Sequence, residues 1–233
     1  MRNSVTSITR PGLLAALLLA LGSAASPLHG QQRPLRLAIE GGWYRPSMDY
    51  WNERSTFAGI DRFDGSGLFG AAVVAQVAGP LAVRVSAGYW RAAVHDSTLS
   101  LPIEITRREA EVTLVPVGAA LLVRPASLRL AGLRPYAGAG ASLVFVRKQV
   151  THVPVFPDEP PARERDSGRD FLATVEAGVE AELGPRQGLT LALRYAFGGY
   201  DESVGEDGAP LATERVSLAG SQVVLGFWWS PFR

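Results

Sequence analysis

The stretch Val94–Ser97, VHDS, brings a histidine, an aspartate and a serine together within four residues. A histidine can act as a general base towards a serine hydroxyl, and a carboxylate such as that of Glu104 or Glu109 can orient the imidazole. These residue types could carry out acyl hydrolysis. The sequence offers no fixed donor for an oxyanion, however, and the stretch is polar like a solvated loop. We therefore expect His95 and Ser97 to be weak catalytic candidates in a chain that is not an enzyme.

Two further motifs could bind a ligand. Asp201–Gly208, DESVGEDG, offers carboxylates for a divalent cation at Asp201, Glu202, Glu206 and Asp207. It lacks the oxygen spacing of a calcium loop, so we expect an acidic surface loop and no metal. Gly138–Ala141, GAGA, lacks the third glycine and the following helix of a dinucleotide site. We expect no cofactor and attribute these small residues to a narrow interior.

The first residues predict export. Arg2 and Arg10 precede the apolar run Leu13–Gly22, which is followed by small residues and Pro27. This order is typical of a secretory signal peptide, and the run is shorter than the roughly 20 apolar residues of a membrane-spanning helix. We assign residues 1–30 to the signal peptide, with cleavage between about 25 and 32, and residues 31–233 to one domain.

Composition narrows the class of partner. The chain has no cysteine, and its 23 basic and 22 acidic residues give a net charge of +1. An exported chain without disulfides depends on its own hydrogen bonds and packing, or on a membrane. With no basic field to attract a polyanion, we expect no nucleic-acid partner.

Segments that alternate between apolar and polar residues recur along the chain, and they determine how any of these side chains would be positioned. Phe171–Gly184 also fits a helix, but Gly178 in its middle and the turn sequence PRQG after it favour a strand. Each segment has at least the roughly 9–11 residues of a tilted strand that crosses a bilayer. The eight segments are Leu35–Arg45, Gly67–Ala78, Leu81–Ala92, Glu109–Arg124, Arg134–Lys148, Phe171–Gly184, Leu189–Gly199 and Val216–Ser230.

Long and short connections alternate between these segments. The short ones are Gly79–Pro80, Ala126–Leu133 and Pro185–Gly188, and the long polar ones are Pro46–Ser66, Ala93–Arg108, Val150–Asp170 and Tyr200–Arg215. This arrangement predicts an all-β fold, an eight-stranded antiparallel up-and-down transmembrane β-barrel with four extracellular loops. The alternative is a soluble secreted or periplasmic β-barrel that turns its apolar faces inward and binds a small apolar ligand.

The polar faces favour the transmembrane version, because they collect ionisable residues in mid-strand. Inside a narrow barrel these could pair with one another as a filled polar core. The predicted interior charge network is Arg36, Glu40, Arg84, Glu111, Glu176, Glu180, Glu182 and Arg194. Aromatic residues fall towards the strand ends, as interfacial girdles require, at Trp43, Tyr44, Tyr89, Trp90, Tyr195, Phe197, Trp228 and Trp229.

Two internal stretches and the C-terminus carry a resemblance to a known family. Leu133–Phe145, LRPYAGAGASLVF, and Val115–Pro125, VPVGAALLVRP, resemble central strands of small bacterial outer-membrane β-barrels of the OmpA/OmpX type. The ending VVLGFWWSPFR resembles the C-terminal signal of such barrels, from which it departs because Arg233 follows Phe232 and Pro231 interrupts the last strand.

The resemblance implies a monomer in the outer membrane of a Gram-negative bacterium, with a structural or surface-interaction role and no open pore. The implied partners are outer-membrane lipid and lipopolysaccharide, periplasmic chaperones and the barrel-assembly machinery. VHDS is only loosely similar to the pattern of outer-membrane enzymes that hydrolyse acyl chains of lipid A or phospholipid. That activity is the further alternative, with His95 and Ser97 as its residues.

Overall fold

The structure is a computed structural model, and it describes residues 35–54, 64–100, 104–125, 127–128, 132–154, 162–206 and 209–231. The predicted signal peptide and its cleavage site lie outside these residues, and so do Phe232 and Arg233. Among the helices of the described ranges, none has the length and apolar character needed to cross a membrane.

The described residues form nine strands and one short helix. In chain order these are β1 (Leu35–Pro46), α1 (Asp49–Arg54), β2 (Ser66–Ala78), β3 (Leu81–Ser100), β4 (Glu104–Val123), β5 (Leu133–Pro154), β6 (Ala162–Gly184), β7 (Gln187–Glu206), β8 (Ala209–Ser217) and β9 (Gly220–Trp229). Consecutive strands up to β7 pair antiparallel, and β7 pairs with both β8 and β9. Since β8 and β9 together form one interrupted barrel strand and β9 also pairs with β1, the sheet closes. The prediction of an eight-stranded antiparallel up-and-down barrel is confirmed.

Tight turns lie at the end of the barrel where the described chain begins and ends. Two residues join β2 to β3, and two join β6 to β7. Gly79, in the first of these turns, has a φ of 48°, which a residue with a side chain rarely adopts. A backbone hydrogen bond from the Arg124 amide to the Pro80 carbonyl holds the next connection beside that turn.

At the opposite end the structure corrects the sequence prediction of long loops. The predicted loops Ala93–Arg108, Val150–Asp170 and Tyr200–Arg215 are mostly strand, because the ladders β3–β4, β5–β6 and β7–β8 continue through them. A strand whose outer face lies in water can carry polar residues without losing its hydrogen-bonded partner strand. A prediction of loops from polarity alone therefore made the loops too long. In the fourth, Pro46–Ser66, α1 follows directly after β1.

Above the closed barrel the sheet divides into two parts. Pairing of β2 with β3 begins at Leu68–Trp90, and pairing of β6 with β7 begins at Leu172–Gly198, where Gly198 has a φ of 123°. Beyond these rungs, β3 to β6 continue as a four-stranded extension that we call the projecting sheet (residues 91–100, 104–113, 146–154 and 162–170). Gly199–Glu206 and Ala209–Ser217 form a separate projecting hairpin.

The two faces of the barrel strands separate as predicted for a transmembrane barrel. The alternating apolar residues point outward, with exposed fractions of 57% for Ile39, 68% for Phe171 and 63% for Leu193. The intervening charged residues point inward, and Arg84 and Glu176 are buried. A soluble barrel that binds an apolar ligand would show the reverse arrangement, so this outer apolar belt argues against that alternative.

Candidate functional site: the barrel lumen and its projecting end

A cluster of four ionised side chains fills the middle of the lumen. Arg194 donates from Nη1 and Nη2 to both carboxylate oxygens of Glu40, at 2.8 and 2.7 Å, and from Nε to Oε2 of Glu176 at 2.8 Å. Arg84 donates to the same Glu176 oxygen at 2.6 Å and lies 3.9 Å from Glu40. Two guanidinium groups and two carboxylates therefore neutralise one another, as buried charges must.

A second cluster lies towards the end with the tight turns. Glu180 accepts from Arg36 at 2.8 Å and from Arg124 at 2.7 Å, so that each carboxylate oxygen has one guanidinium partner. The Arg36 guanidinium also lies 4.1 Å from the centre of the Trp228 ring, which is a favourable cation–π distance. Together with the middle cluster, these groups place seven charged side chains in the lumen.

The structure distributes the eight residues of the predicted charge network unequally. Six of them, Arg36, Glu40, Arg84, Glu176, Glu180 and Arg194, meet in the two clusters. Glu182 lies on the same face at the rim, where it pairs with Arg134 at 2.6 Å, and both are partly exposed.

Glu111 was predicted to lie in the interior network and does not, whereas Arg124 lies in the network and was not predicted there. Glu111 lies on the outer face of β4 and pairs at 2.7 Å with the exposed Arg91. It lies above the apolar belt, where the outside of the sheet meets water and the rule of a polar interior no longer holds. Arg124 is absent from the predicted network because it stands next to Pro125 at the predicted strand end, although its period-two position after Leu122 already indicated an inward side chain.

The half of the lumen nearer the projecting sheet, the upper lumen, is apolar. The expected polar interior therefore occupies only the lower half, nearer the tight turns. Trp90 is fully buried and donates from Nε1 to the Tyr44 carbonyl oxygen at 3.1 Å, while the Tyr44 hydroxyl donates to the Leu218 carbonyl oxygen. The two rings meet edge to face, with centroids 5.9 Å apart. These side chains tie β1 and β3 to the break between β8 and β9, and they close the lumen above the charges.

Between the charges and this aromatic closure lies a cavity of about 70 Å³. Its walls include small residues such as Gly88, Gly118 and Ser142, and Arg84 and Arg194 reach it from below. Since a water molecule needs roughly 10–15 Å³ of such space, the cavity can hold only a few waters. This cavity therefore has room for local hydration and none for a solute much larger than water.

The predicted aromatic girdles are only partly confirmed. Trp43, Tyr89, Tyr195 and Phe197 are exposed on the outer face, as a girdle requires. Tyr44, Trp90 and Trp228 are buried inside. In pairs of adjacent aromatic residues such as Trp43–Tyr44, successive side chains point to opposite faces, so that one of each pair has to enter the lumen.

The hydrophobic core of the barrel continues into the space between the projecting strands. Val112, Val146 and Val150 on the inner face of the projecting sheet are buried, as is Val216 of the projecting hairpin. Met48, which follows β1, is buried in the same cluster. The strands beyond the belt thus share one hydrophobic core with the upper barrel.

Polar contacts link the projecting hairpin to the projecting sheet on its inner side. Lys148 donates to Glu202 at 2.6 Å, and the Tyr200 hydroxyl donates to the other carboxylate oxygen at 2.9 Å. Burial, followed by the charge of Glu202, raises the pKa of the Tyr200 phenol well above its usual range. Tyr200 also packs over Gly168, where any side chain would overlap the ring.

On the outer face of the hairpin a single arginine makes the corresponding link. Arg215 of β8 pairs with Asp170 of β6 and, at 3.1 Å, with Asp201 of β7. The backbone amide of Phe171 and the Arg215 guanidinium hold the pKa of the Asp170 carboxyl below its ordinary value. The two carboxylates in turn raise the pKa of Arg215.

These contacts separate two of the four carboxylates that the stretch DESVGEDG offers to a cation. Asp201 faces outward to Arg215, whereas Glu202 faces inward to Lys148, so neighbouring carboxylates lie on opposite faces of β7. The side chain of Glu206 and the whole of Asp207 lie outside the described residues. Across the part of the chain that is described, no group of acidic or histidine side chains has a metal-binding arrangement.

The weak catalytic candidates lie on the projecting part of β3. In the ladder, His95 stands opposite Glu109 and Ser97 opposite Arg107 on β4. Their side chains, like that of Glu104, lie outside what the structure describes. The GAGA motif, in contrast, has a structural explanation, since a side chain at Gly138 or Gly140 would overlap the neighbouring β4 backbone.

Solved structures of bacterial outer-membrane proteins share this architecture. The outer membrane protein OprG from Pseudomonas aeruginosa matches over 84% of this chain and 96% of its own, with a TM-score of 0.51 and 16% identity. The chain has the fold of the small bacterial outer-membrane β-barrels. Neisserial surface protein A (84% of this chain, 96% of its own) and a major outer membrane protein from Thermus thermophilus (85% and 99%) both match with TM-scores of 0.48 and 11% identity. No protein-family model and no curated protein matches the sequence.

The outer apolar belt gives this fold its setting. A closed barrel leaves no unpaired strand edge within the belt, and lipid hydrocarbon tolerates neither unpaired backbone groups nor exposed charge. The chain is therefore a transmembrane β-barrel of the outer-membrane type.

Proposed function

We propose that the protein is a closed outer-membrane barrel that holds a β-structured surface for interactions outside the bilayer. The observation that carries this proposal is the continuation of hydrogen-bonded strands far beyond the apolar belt. The projecting part of β3 alone, Arg91–Ser100, has ten residues, which at about 3.3 Å per residue is roughly 30 Å of strand. A surface built on paired strands presents side chains in fixed positions.

The filled lumen supports a structural role in place of transport. Eight strands enclose an interior just wide enough for side chains. Here the charged clusters occupy the lower half, and Tyr44, Trp90 and Leu218 close the upper half. We therefore infer a structural or surface-interaction role and no open pore.

The remaining partners follow from the setting. The protein contacts outer-membrane lipid and lipopolysaccharide along its belt, and it reaches the membrane with periplasmic chaperones and the barrel-assembly machinery. We infer a monomer, since β1 pairs with β9 and the closed sheet offers no strand edge through which a second copy could pair within the belt.

Cysteine labelling tests the orientation, since the chain has no cysteine of its own. Gln149→Cys lies on the projecting sheet, and Gln187→Cys lies at the opposite end beside a tight turn. A membrane-impermeant maleimide should label the first on intact cells and the second only after the outer membrane is opened. The reverse pattern would place the projecting sheet in the periplasm and refute the proposal.

Conductance tests the closed lumen. Wild-type barrels inserted in planar bilayers should show no steady channel. Trp90→Ala and Leu218→Ala remove much of the upper closure and leave the charged clusters in place, so they should still conduct little. Stable channels in the wild type would contradict a filled interior.

A further inference from the structure

Three arginines converge on the outer face of the projecting sheet. Arg147 of β5 stands opposite Ser167 of β6, and Arg165 and Arg169 lie two residues to either side of that serine. Diagonal neighbours of this kind are about 7–8 Å apart, a distance that arginine side chains readily span. We call Arg147, Arg165 and Arg169 the arginine triangle.

The triangle surrounds a shallow groove. Ser167 forms part of its floor, and its small side chain leaves space between the three arginine side chains. Thr113, Val115 and Phe145 continue the groove towards the apolar belt. The groove thus has a cationic end and an apolar end.

The charge of the triangle is not neutralised by the acidic residues around it. Asp170, on the same strand, pairs with Arg215, and Asp166, although it lines the groove, stands opposite Lys148 at an inward-facing position of β6. Glu111, the nearest outward carboxylate on β4, pairs with Arg91. Within the described part of the chain, none of the three arginines forms an ion pair. An anion from outside the protein therefore has three guanidinium groups available.

The height of the triangle in the membrane identifies the anion. Arg169 stands directly opposite Phe145, and Phe171 lies two residues further towards the belt. Both phenylalanines are exposed, and the next outward residues above them, Arg147 on β5 and Arg169 on β6, are charged. The triangle consequently lies just above the hydrocarbon, at the level of lipid head groups.

We propose that the arginine triangle binds a phosphate of lipopolysaccharide, with the acyl chains of the same molecule lying along Phe145 and Val115. This inference rests on the proposed orientation, which turns the projecting sheet to the outer leaflet. Arginine suits the task, because its planar fork binds phosphate oxygens in a bidentate manner and keeps its charge at any physiological pH. The apolar end of the groove favours a lipid over a soluble polyanion, because a polyanion has no apolar part that could pack against the exposed phenylalanine.

The test compares two kinds of variant in the full-length barrel. The first replaces the triangle as R147Q/R165Q/R169Q. The second is Arg91→Gln, a matched control: Arg91 and Arg147 flank Thr113 on the same rung and the same face, but Arg91 already has Glu111 as its partner. Purified barrels in detergent are titrated with lipopolysaccharide and with the same lipopolysaccharide after enzymatic removal of its phosphates.

The triple variant should bind intact lipopolysaccharide at least tenfold more weakly than the wild type, and Arg91→Gln should bind like the wild type. Removal of the phosphates should weaken binding to the wild type to the level of the triple variant. Equal binding by wild type and triple variant would overturn the proposal. So would unchanged binding of the dephosphorylated lipid, or displacement of the lipid by a soluble sulfated polysaccharide that binds more tightly.

Folding and orientation are read out separately. Heated and unheated samples on a denaturing gel show whether each variant still forms a barrel, and the single variant Arg165→Gln gives a milder change if the triple variant does not fold. Cysteine labelling at Gln149 reports the orientation independently. A correctly oriented barrel with no preference for phosphate would refute the lipid site and leave the proposed function intact.

Discussion

Replacing Arg194 by leucine removes the residue that joins the two acidic side chains of the middle cluster. Arg194 supplies two hydrogen bonds to Glu40 and one to Glu176, all between 2.7 and 2.8 Å. Without it, Glu40 retains only Arg84, at 3.9 Å, and a buried carboxylate is left poorly compensated. Breaking a buried pair from one side typically costs about 3–5 kcal/mol. The equilibrium constant for unfolding should rise by roughly 10²- to 10³-fold or more, at about 1.4 kcal/mol per factor of ten.

The measurement is unfolding of the barrel by urea in lipid vesicles, followed by tryptophan fluorescence and by the migration of unheated samples on a gel. Glu40→Leu and the double variant Glu40→Leu/Arg194→Leu complete a double-mutant cycle. Because the double variant leaves the Arg84–Glu176 pair intact, it should be no less stable than Arg194→Leu alone. A loss below about 1 kcal/mol for Arg194→Leu, or strictly additive effects in the cycle, would refute the network as described.

Three other outcomes follow from the structure. Leu193→Arg, on the lipid face next to Arg194, should cost about 2–4 kcal/mol in the same vesicles, and an unchanged midpoint would contradict the outward orientation. Gly140→Ala should destabilise the barrel by on the order of 1–3 kcal/mol in the same urea titration, because a methyl group there overlaps the Ala119 carbonyl oxygen. The lowered pKa of Asp170 means that its stabilisation is present above its ordinary value of 3.8 and is lost as the pH falls through the lower value of the folded state. The protection factors of the amides in the projecting hairpin, which correct for the pH dependence of the intrinsic exchange rate, should therefore fall at the acid end of that range, and Asp170→Asn should remove this dependence.

Within the membrane, the strands and the direction of their side chains could be predicted from the sequence, because two physical rules act together. Side chains alternate along a strand, and lipid accepts only apolar ones, so a segment such as Leu189–Gly199 reveals both its period and its orientation. The tight turn at Gly79–Pro80 could also be predicted, because glycine readily adopts the positive φ that such a turn requires. Arg84 and Glu176 could be assigned to the lumen by the same alternation, although which acid would meet which base depends on the stagger between strands and cannot be derived from one segment alone.

Above the membrane the second rule reverses, and the sequence predictions failed there. Outside the belt the outer face meets water and the inner face packs in a core, so Glu111 faces outward and Val112 inward. The polar stretches predicted as loops have the same explanation. Charged residues are allowed on the outer face of a strand in water, so these stretches lack the apolar outer face by which the strands in the membrane were recognised. Trp90 lies at the boundary between the membrane and the water above it. The neighbouring sequence there does not distinguish an aromatic residue that points inward from one that belongs to a girdle.

The most direct test of the account is the electrophoretic migration of the full-length protein in isolated outer membranes, with and without heating. A closed barrel in the outer membrane predicts a band in that fraction that migrates differently when unheated, since detergent alone does not open a closed ladder. A band in the soluble periplasmic fraction, with the same migration under both conditions, would contradict the outward apolar belt and with it the transmembrane barrel.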